Sequence, residues 1–384
     1  MSVTDKNILF MTGALSGGGL ENRFCRLAPR MLAAAKSRRL VCLTALDKDV
    51  YVEGLPVASL GYRGPWHYPR AALRLARIIR REEIDLVYAV TRCANVVAHL
   101  ARRLTRRPFK LVLGANSQAG RQFDLHPTLT GLFWQKVSAH IYRQADLVTC
   151  NSHWAMDELV SRFRVRATDI RVLGNPLPEP GPSAVRPPGT LPPLPARYIL
   201  CATRLVDGKG LKELLDAFAA IADRTEEHLV IAGDGPLRAQ LHAQCDSLGI
   251  APRVHFLGWM DDLWPLYRQC SFFVTASYTE GMPNAVLEAM GAGAAVISAE
   301  STSWIGLFAQ QAACLAVPPA DVPALTEAML TLADSPEARQ RLRTAAAQVV
   351  SQFTLDKIVA QFDQVLTGVL DSPLDPRDDG ASPQ

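Results

Sequence analysis

The stretch E-G-M-P-N-A-V-L-E at Glu280–Glu288 predicts a loop that turns directly into a helix. Pro283 suits the first helical position, because its missing N–H would have no partner there anyway. The helix N-terminus, with its free donors and positive dipole end, would attract phosphate. The carboxylates of Glu280 and Glu288 on either side would accept hydrogen bonds from sugar hydroxyls, so the stretch predicts a nucleotide-sugar site. The alternative is a capped helix followed by a surface glutamate. The donors would be the N–H groups of Gly281, Met282 and Asn284.

Length and composition indicate a soluble protein of two domains. Of the 384 residues, 48% are hydrophobic and 20% are charged, which is typical of globular proteins. No apolar run approaches the roughly 18 residues of a membrane span. Ile8–Leu15 is expected to be a first strand and not a signal peptide, because a glycine turn and a helical pattern follow it. The eight cysteines form no C-x-x-C pair and are expected to be buried thiols in a reducing cytosol.

The net charge of +4 is unevenly distributed. Thirteen Arg and Lys residues lie between Arg63 and Arg121, against Glu82, Glu83 and Asp85. Such a surface binds nucleic acid, an anionic membrane or a phosphorylated acceptor, or is simply solvated. Nucleic acid is disfavoured, because base-stacking aromatic residues are sparse among the basic ones. We expect no nucleic-acid partner, and a cytoplasmic location that includes peripheral contact with the inner face of the cytoplasmic membrane.

Short apolar segments alternate with helical patterns along the whole chain, as in parallel sheets with crossover helices. The pattern predicts an α/β fold of two Rossmann-like β/α/β domains facing a central cleft, with ligands beyond the carboxyl ends of the strands. Strands are predicted in the first half at Asn7–Thr12, Arg39–Ala45, Leu86–Val90, Leu111–Gly114 and Leu147–Cys150. Those of the second half are Tyr198–Thr203, His228–Gly233, Val254–Leu257, Phe272–Thr275 and Ala295–Ser298.

Proline content and periodicity set the predicted domain boundaries. Glu179–Pro195 is dense in proline and lacks a periodic pattern, so we predict an interdomain linker over 179–196. The acceptor-side domain would cover 1–178 and the donor-binding domain 197–352. Residues 353–371 would form a helix that packs back on the N-terminal domain, and the polar residues 372–384 would be disordered.

Three segments of the second half lie at strand ends. Thr203–Gly210 opens a helix, and Arg204 and Lys209 are spaced to reach one point, where they would stabilise a diphosphate leaving group; the alternative is an ordinary basic turn. Gly233–Pro236 reads G-D-G-P, a turn before another helix. Phe256–Trp259 ends the next strand, where backbone groups would read a base edge. Its tryptophan is expected in the core, and the alternative is a stacking platform.

Two segments of the first half are weaker signals. Gly17-Gly18-Gly19 follows the first strand and would let the backbone approach a phosphate. It lacks the G-x-G-x-x-G spacing of a dinucleotide site. Asp47-Lys48-Asp49 is a D-x-D string, a pattern that can hold a divalent metal. Here it lies in a polar loop after the second strand, which disfavours that role. The histidines show no H-E-x-x-H or similar spacing, so we expect no metal site.

Together these segments resemble the retaining glycosyltransferases of GT-B fold known as glycosyltransferase group 1 or family 4. The resemblance covers nearly the whole chain, and the motifs of the second half are specific in combination. The matching segments are G-G-G-L-E-N at Gly17–Asn22, T-R-L-V-D-G-K-G at Thr203–Gly210, I-A-G-D-G-P at Ile231–Pro236, F-L-G-W at Phe256–Trp259 and S-Y-T-E-G-M-P-N-A-V-L-E-A-M at Ser277–Met290.

The resemblance implies transfer of a hexose from a nucleotide diphosphate sugar, with retention of the anomeric configuration and without a metal or other cofactor. The catalytic residues would be Glu280, Lys209, Arg204 and Asn116. Arg204 and Lys209 would hold the diphosphate, Glu280 the transferred sugar and Glu288 the ribose hydroxyls. The donor site would comprise Gly18, Gly19, Gly233, Asp234, Gly235, Leu257, Gly258, Gly281, Met282, Pro283, Asn284 and Glu288.

The chain departs from the family pattern in two places. Many relatives carry a histidine after the fourth strand of the first domain, where this chain has Asn116, which bonds a sugar hydroxyl but cannot shuttle protons. After Ser298, relatives usually have a Gly-Gly turn, an acidic residue and another glycine, whereas this chain has T-S-W-I-G at Thr302–Gly306. The second departure concerns the donor site and not the fold.

Three hypotheses for the function follow. The first is a glycosyltransferase that builds a surface glycan, such as a lipopolysaccharide, on a lipid-linked or saccharide acceptor. The second is a nucleotide-sugar epimerase of similar architecture, which would release free sugar and need no acceptor. The third is an inactive partner subunit with the same fold; Asn116 favours it, and the retained Arg204, Lys209, Glu280 and Glu288 argue against it.

Overall fold

The chain divides into two compact units. The first contains Met1–Asn175 and Asp356–Gln384, and the second Pro176–Leu355. The computed structural model describes residues 5–13, 27–33, 35–44, 52, 55, 57–62, 64–115, 129–178, 193–260 and 262–373. Most of the predicted linker and of the predicted tail therefore lies outside the described residues.

The first unit is built on a seven-stranded parallel sheet in the order β3-β2-β1-β4-β5-β6-β7. The strand order reverses between the neighbours β1 and β4, because β1 to β3 follow one another toward one edge of the sheet and β4 to β7 toward the other. The strands are β1 Asn7–Thr12, β2 Ser37–Thr44, β3 Val57–Tyr62, β4 Leu86–Val90, β5 Lys110–Ala115, β6 Leu147–Cys150 and β7 Ile170–Val172. The helices are α1 Tyr68–Arg81, α2 Arg92–Leu104, α3 Leu129–Arg143, α4 His153–Ser161 and the long C-terminal α12 Leu355–Asp371.

The second unit contains a six-stranded parallel sheet in the order β10-β9-β8-β11-β12-β13. Its strands are β8 Tyr198–Ala202, β9 His228–Ala232, β10 Val254–Gly258, β11 Phe272–Thr275, β12 Val296–Ala299 and β13 Leu315–Val317. Its helices are α5 Leu211–Ile221, α6 Arg238–Ser247, α7 Trp264–Gln269, α8 Asn284–Gly291, α9 Ser303–Gln310, α10 Val322–Asp334 and α11 Pro336–Val350. Short 3₁₀ helices lie at Pro65–His67, Ala167–Asp169, Ala222–Arg224 and Ala251–Arg253.

The predicted fold class of two parallel Rossmann-like sheets is confirmed, and all ten predicted strands are present within two residues at each end. Three further strands, β3, β7 and β13, were not predicted. All three are edge strands. An edge strand is covered less completely, so its residues need not form the continuous apolar run that marks an interior parallel strand.

Helix α1 shows how the sequence pattern positions these layers. Its buried residues are Ala71, Ala72, Leu75, Ala76 and Ile79, which recur at helical spacing. The sequence pattern over Arg70–Arg81 predicts a helix with one apolar face and an opposite face of arginines, and both faces are confirmed. The helix starts at Tyr68, two residues before the predicted Arg70, because Pro69 fits the first turn.

The cysteines that the structure describes are buried or half-buried thiols. Among the described residues, Cys42, Cys150, Cys201, Cys245, Cys270 and Cys314 are buried and Cys93 is half-buried. Burial raises the pKa of Cys201 to about 12, although Lys209 opposes this rise. In the described part of the chain, no helix combines the length and the hydrophobicity needed to cross a membrane.

Candidate functional site

The two strongest motifs of the second half lie at the centre of the second sheet. Strands β8 and β11 are neighbours, and the strand order reverses between them. Thr203–Gly210 follows β8 and Ala276–Pro283 follows β11, so both loops leave the same carboxyl edge. Open α/β sheets bind their ligands at such a switch point.

Lys209 and Glu280 meet between these two loops. The Lys209 Nζ lies 2.5 Å from the Glu280 Oε1. Their side chains are 17% and 26% exposed, so the pair is partly shielded from water but open to a ligand. The sequence placed these residues in one site, and the structure brings them into direct contact.

The Glu280 loop is held by the end of β12. The N–H of Glu280 donates to the Ser301 carbonyl at 2.8 Å. The Thr302 hydroxyl donates to the Gly281 carbonyl at 2.8 Å, and Ser301 and Thr302 are both buried. Thr302 belongs to the stretch that departs from the family pattern, yet it supports the loop that carries Glu280.

Helix α8 follows this loop and begins at Asn284. Pro283 occupies the N-cap position, with φ −82° and ψ 79°, so its expected place at the first helical position is wrong by one residue. The N–H of Asn284 donates to the Met282 carbonyl at 3.0 Å and is thus engaged. Among the described residues, the N–H groups of Gly281 and Met282 have no acceptor, which leaves two donors near the positive end of the helix.

The Gly233–Pro236 turn packs against the loop after β8. A Cβ on Gly233, whose φ is +143°, would overlap the Thr203 carbonyl oxygen, and one on Gly235 would overlap that of Leu205. The Leu205 N–H donates to the Asp234 carbonyl at 2.9 Å. Glycine is therefore required here for close approach of two backbones.

The loop after β10 adjoins the same turn. The N–H of Gly233 donates to the Gly258 carbonyl at 2.7 Å, and Gly258 has a φ of +74°. Leu257 is half-buried beside it. Trp259 is 60% exposed, so the expected core position is wrong, and the indole ring stands at this edge of the sheet.

Arg204 and Asp234 are two further charged residues at this edge. Arg204 is exposed, and no hydrogen bond of its guanidinium occurs within the described residues. The Asp234 Oδ1 accepts from the Gly235 N–H at 2.8 Å and lies 3.8 Å from an Arg238 Nη1. Arg204 follows β8 as Lys209 does, but the structure shows no contact between the two side chains.

Glu288 lies one helical turn into α8. Its Oε2 accepts a hydrogen bond from the Tyr267 hydroxyl at 3.2 Å. Burial, followed by the charge of Glu288, raises the pKa of Tyr267 well above its ordinary value, so the phenol remains a donor. A donor fixed on one carboxylate oxygen orients Glu288.

Several predicted site residues lie outside the described residues. These are Gly18, Gly19 and Asn116, together with the D-x-D string at Asp47–Asp49. Their roles remain predictions. Within the part of the chain that the structure describes, no group of three or more His, Cys, Asp or Glu residues is arranged to hold a metal ion.

Sequence reasoning missed three supporting residues: Tyr267, Ser301 and Thr302. The two hydroxyl residues follow β12, the neighbour of β11, so the rule that strand ends line the site would have pointed to them. Tyr267 lies on α7, and nothing in its local sequence marks it. Its role depends on how α7 packs against α8, which is a tertiary feature.

Two family models match the chain. The model of glycosyl transferases group 1 matches residues 196–335, and that of Glycosyltransferase Family 4 matches residues 17–178. Together they cover most of the sequence and both units. The segments Thr203–Gly210 and Ser277–Met290 lie inside the first match.

Two curated relatives are bacterial. The N-acetylgalactosamine-N,N'-diacetylbacillosaminyl-diphospho-undecaprenol 4-alpha-N-acetylgalactosaminyltransferase of Campylobacter jejuni is 26% identical over 237 residues, 61% of this chain and 63% of the relative. LpsE, a lipopolysaccharide core biosynthesis glycosyltransferase of Rhizobium meliloti, is 28% identical over 281 residues, 70% of this chain and 78% of the relative. The chain thus spans less than two thirds of the first relative's length.

The solved structure of HepE from Anabaena in complex with UDP is similar in fold. It superposes with a TM-score of 0.77 at 21% identity, covering 94% of this chain and 100% of that chain. The two family models and the two parallel sheets show that the chain belongs to the glycosyltransferases of group 1, in family 4, and has their GT-B fold.

Proposed function

We propose that the chain is a retaining, metal-independent glycosyltransferase that moves a sugar from a nucleotide diphosphate sugar to a lipid-linked or saccharide acceptor in surface glycan biosynthesis. One observation carries this proposal. Lys209 and Glu280 lie 2.5 Å apart at the switch point of the second sheet. A fixed cation for a diphosphate thus adjoins a carboxylate for sugar hydroxyls.

The surrounding groups suit a nucleotide diphosphate sugar. The N–H groups of Gly281 and Met282 precede α8, where a phosphate would gain two donors and the positive helix end. Glu288 lies on the same helix, where its carboxylate would accept from ribose hydroxyls. The UDP complex of a fold neighbour supports this choice of donor class.

The proposed reaction breaks the bond between the anomeric carbon and the diphosphate oxygen. The acceptor oxygen forms its new bond to the same face of that carbon, and its proton passes to the departing phosphate. Negative charge grows on the leaving group as this bond breaks. Lys209 and Arg204 would neutralise that charge. Stabilisation of charge that develops in the transition state is usually the largest single contribution to catalysis.

The names of the relatives support the acceptor class. One is named for a diphospho-undecaprenol-linked saccharide and another for the lipopolysaccharide core. We therefore propose an acceptor that is itself attached to a lipid, or the saccharide part of such a molecule.

The release of nucleoside diphosphate tests the proposal. A panel of UDP- and GDP-sugars is incubated with the protein, with and without lipid-linked acceptors, in excess chelator. We expect one donor to give release that depends on acceptor and survives the chelator. Release without any acceptor would indicate the epimerase, no release with any pair the inactive subunit, and loss in chelator restored by manganese a metal-dependent mechanism.

Replacing Glu288 by alanine is expected to weaken binding of UDP. The loss of hydrogen bonds from ribose hydroxyls to a charged group costs roughly 1.5–3 kcal/mol, which corresponds to about 10- to 150-fold in Kd. Calorimetric titration measures this change. The control is Glu327→Ala, which removes an exposed glutamate from α10. An unchanged Kd for Glu288→Ala would remove this residue from the donor site.

A basic face on the first unit supports contact with an anionic membrane. We define this face as helices α1, α2 and α3, which are packed side by side and contain no Asp or Glu. Trp66 precedes α1 and is 94% exposed, and Phe133 on α3 is 59% exposed. Basic side chains attract anionic lipid headgroups, and exposed aromatic rings suit the interface below them. The exposed arginines of α1 are Arg70, Arg74, Arg77, Arg80 and Arg81.

Liposome flotation tests the basic face. We expect the protein to float with phosphatidylglycerol vesicles at low salt, not with phosphatidylcholine alone, and to detach at ~0.5 M salt. The triple change Arg70→Glu, Arg77→Glu and Arg81→Glu is expected to abolish flotation. The same charge change elsewhere, at the exposed Arg164, Arg224 and Arg341, is the control. Equal recovery with neutral vesicles, or none at all, would contradict the membrane proposal.

A further inference from the structure

Two loops of the donor site are joined directly, backbone to backbone. The N–H of Tyr278, in the loop after β11, donates to the Gly208 carbonyl, in the loop after β8, at 2.9 Å. A Cβ on Gly210 would overlap the Ala276 carbonyl oxygen, so the two loops also touch at a point that admits no side chain. The loops after β8 and β11 therefore pack as one layer.

A side-chain hydrogen bond joins the loop after β11 to the start of α5, which follows the loop after β8. The Tyr278 hydroxyl donates to the Glu213 Oε1 at 2.5 Å, and both residues are half-buried. Glu213 lies in the first turn of α5, which begins directly after Gly210. Burial, then the hydrogen bond to Glu213, raises the pKa of Tyr278 to about 12, so the phenol keeps its proton near neutral pH and remains the donor.

We propose that the Tyr278–Glu213 hydrogen bond is a latch that sets the separation of Lys209 and Glu280, and that Tyr278 and Glu213 are positioning residues for sugar transfer. This inference rests on the proposed function. Glu213 lies four residues after Lys209, and Tyr278 two residues before Glu280. Glu213 thus belongs to the short segment that carries Lys209, and Tyr278 to the one that carries Glu280.

The latch acts on geometry and not on charge. The cation at Lys209 is useful to the transition state only if it lies where the leaving group gains charge, and small displacements of such groups reduce rates strongly. The nucleotide contacts proposed for the α8 N-terminus and Glu288 involve neither Tyr278 nor Glu213. A broken latch should therefore lower kcat and leave UDP affinity nearly unchanged.

The test removes the hydroxyl while retaining the ring. Tyr278→Phe is expected to lower kcat about tenfold, with UDP Kd changed less than about twofold. Glu213→Ala is expected to have the same effect, and the double variant to be no worse than either single one, because both remove one shared interaction. Glu213→Gln keeps an acceptor oxygen and is expected to restore kcat to near the wild-type value.

The control is Tyr198→Phe, which removes a different phenol hydrogen bond of the second unit, the one that the Tyr198 hydroxyl donates to the Leu266 carbonyl at 2.9 Å. It is expected to lower stability but not kcat.

Amide hydrogen exchange is measured in parallel, and Tyr278→Phe should raise exchange at residues 208–213 and 276–280. Unchanged exchange, unchanged kcat, or an equal kcat loss in Tyr198→Phe would overturn the latch. Wild-type protein without transfer activity would instead overturn the proposed function, and exchange would still decide whether the latch exists.

Discussion

Replacing Lys209 by alanine is expected to lower kcat by roughly 10²–10³-fold, as removal of one fixed donor to a developing anion does in other enzymes. The change removes the cation that faces the leaving diphosphate and leaves Glu280 without its partner 2.5 Å away. Because leaving-group charge grows in the transition state, UDP affinity should fall by less than about tenfold. Steady-state release of nucleoside diphosphate gives kcat, and calorimetry gives the affinity.

The matched control for this variant is Lys212→Ala. Lys212 lies three residues further on, in the first turn of α5, and is half-buried like Lys209. Its removal should leave kcat within about twofold of wild type, since screened charges outside the site act weakly. Equal losses in both variants, or a Lys209 variant that loses affinity but keeps kcat, would contradict the leaving-group role.

Gly233→Ala is expected to destabilise the second unit by roughly 3–5 kcal/mol. Two costs combine: a strained backbone at φ +143° and overlap of the new Cβ with the Thr203 carbonyl oxygen. The melting temperature of that unit should fall by roughly 10 °C. Thermal unfolding followed by circular dichroism measures the shift.

The control for backbone strain is Gly293→Ala. Gly293 also has a positive φ, +85°, but no atom lies within 4 Å of the position of its Cβ. It should therefore pay only the conformational cost of roughly 1–2 kcal/mol. Similar losses in both variants would show that φ alone is decisive and that the tight packing of the Gly233 turn against Thr203 is not.

The interior strands of both sheets were predictable because buried parallel strands appear in the sequence as continuous apolar segments. Residues such as Ile8–Met11 and Leu229–Ala232 are apolar without interruption, since both faces of the strand are covered. The edge strands β7 and β13 have only three residues each. Such short segments give no periodic signal, and their pairing depends on a neighbour that is distant in sequence.

The residues of the candidate site were predictable where one loop supplies them. The contacts between residues of two different loops were not. Lys209 and Glu280 were each identified from local motifs, but their contact follows from the adjacency of β8 and β11. Trp259 was misplaced because an apolar ring after a strand is usually buried, and only the loop geometry exposes it. Contacts such as Tyr267 to Glu288 join different helices, so no local pattern announces them.

The measurement that tests the central claim most directly is the mass of the acceptor after reaction. The protein is incubated with the donor that supports release and with a lipid-linked saccharide acceptor, and the products are analysed by mass spectrometry. We expect the acceptor to gain the mass of one sugar residue with wild-type protein and to gain almost none with Lys209→Ala. Nucleoside diphosphate and free sugar with an unchanged acceptor would contradict glycosyl transfer.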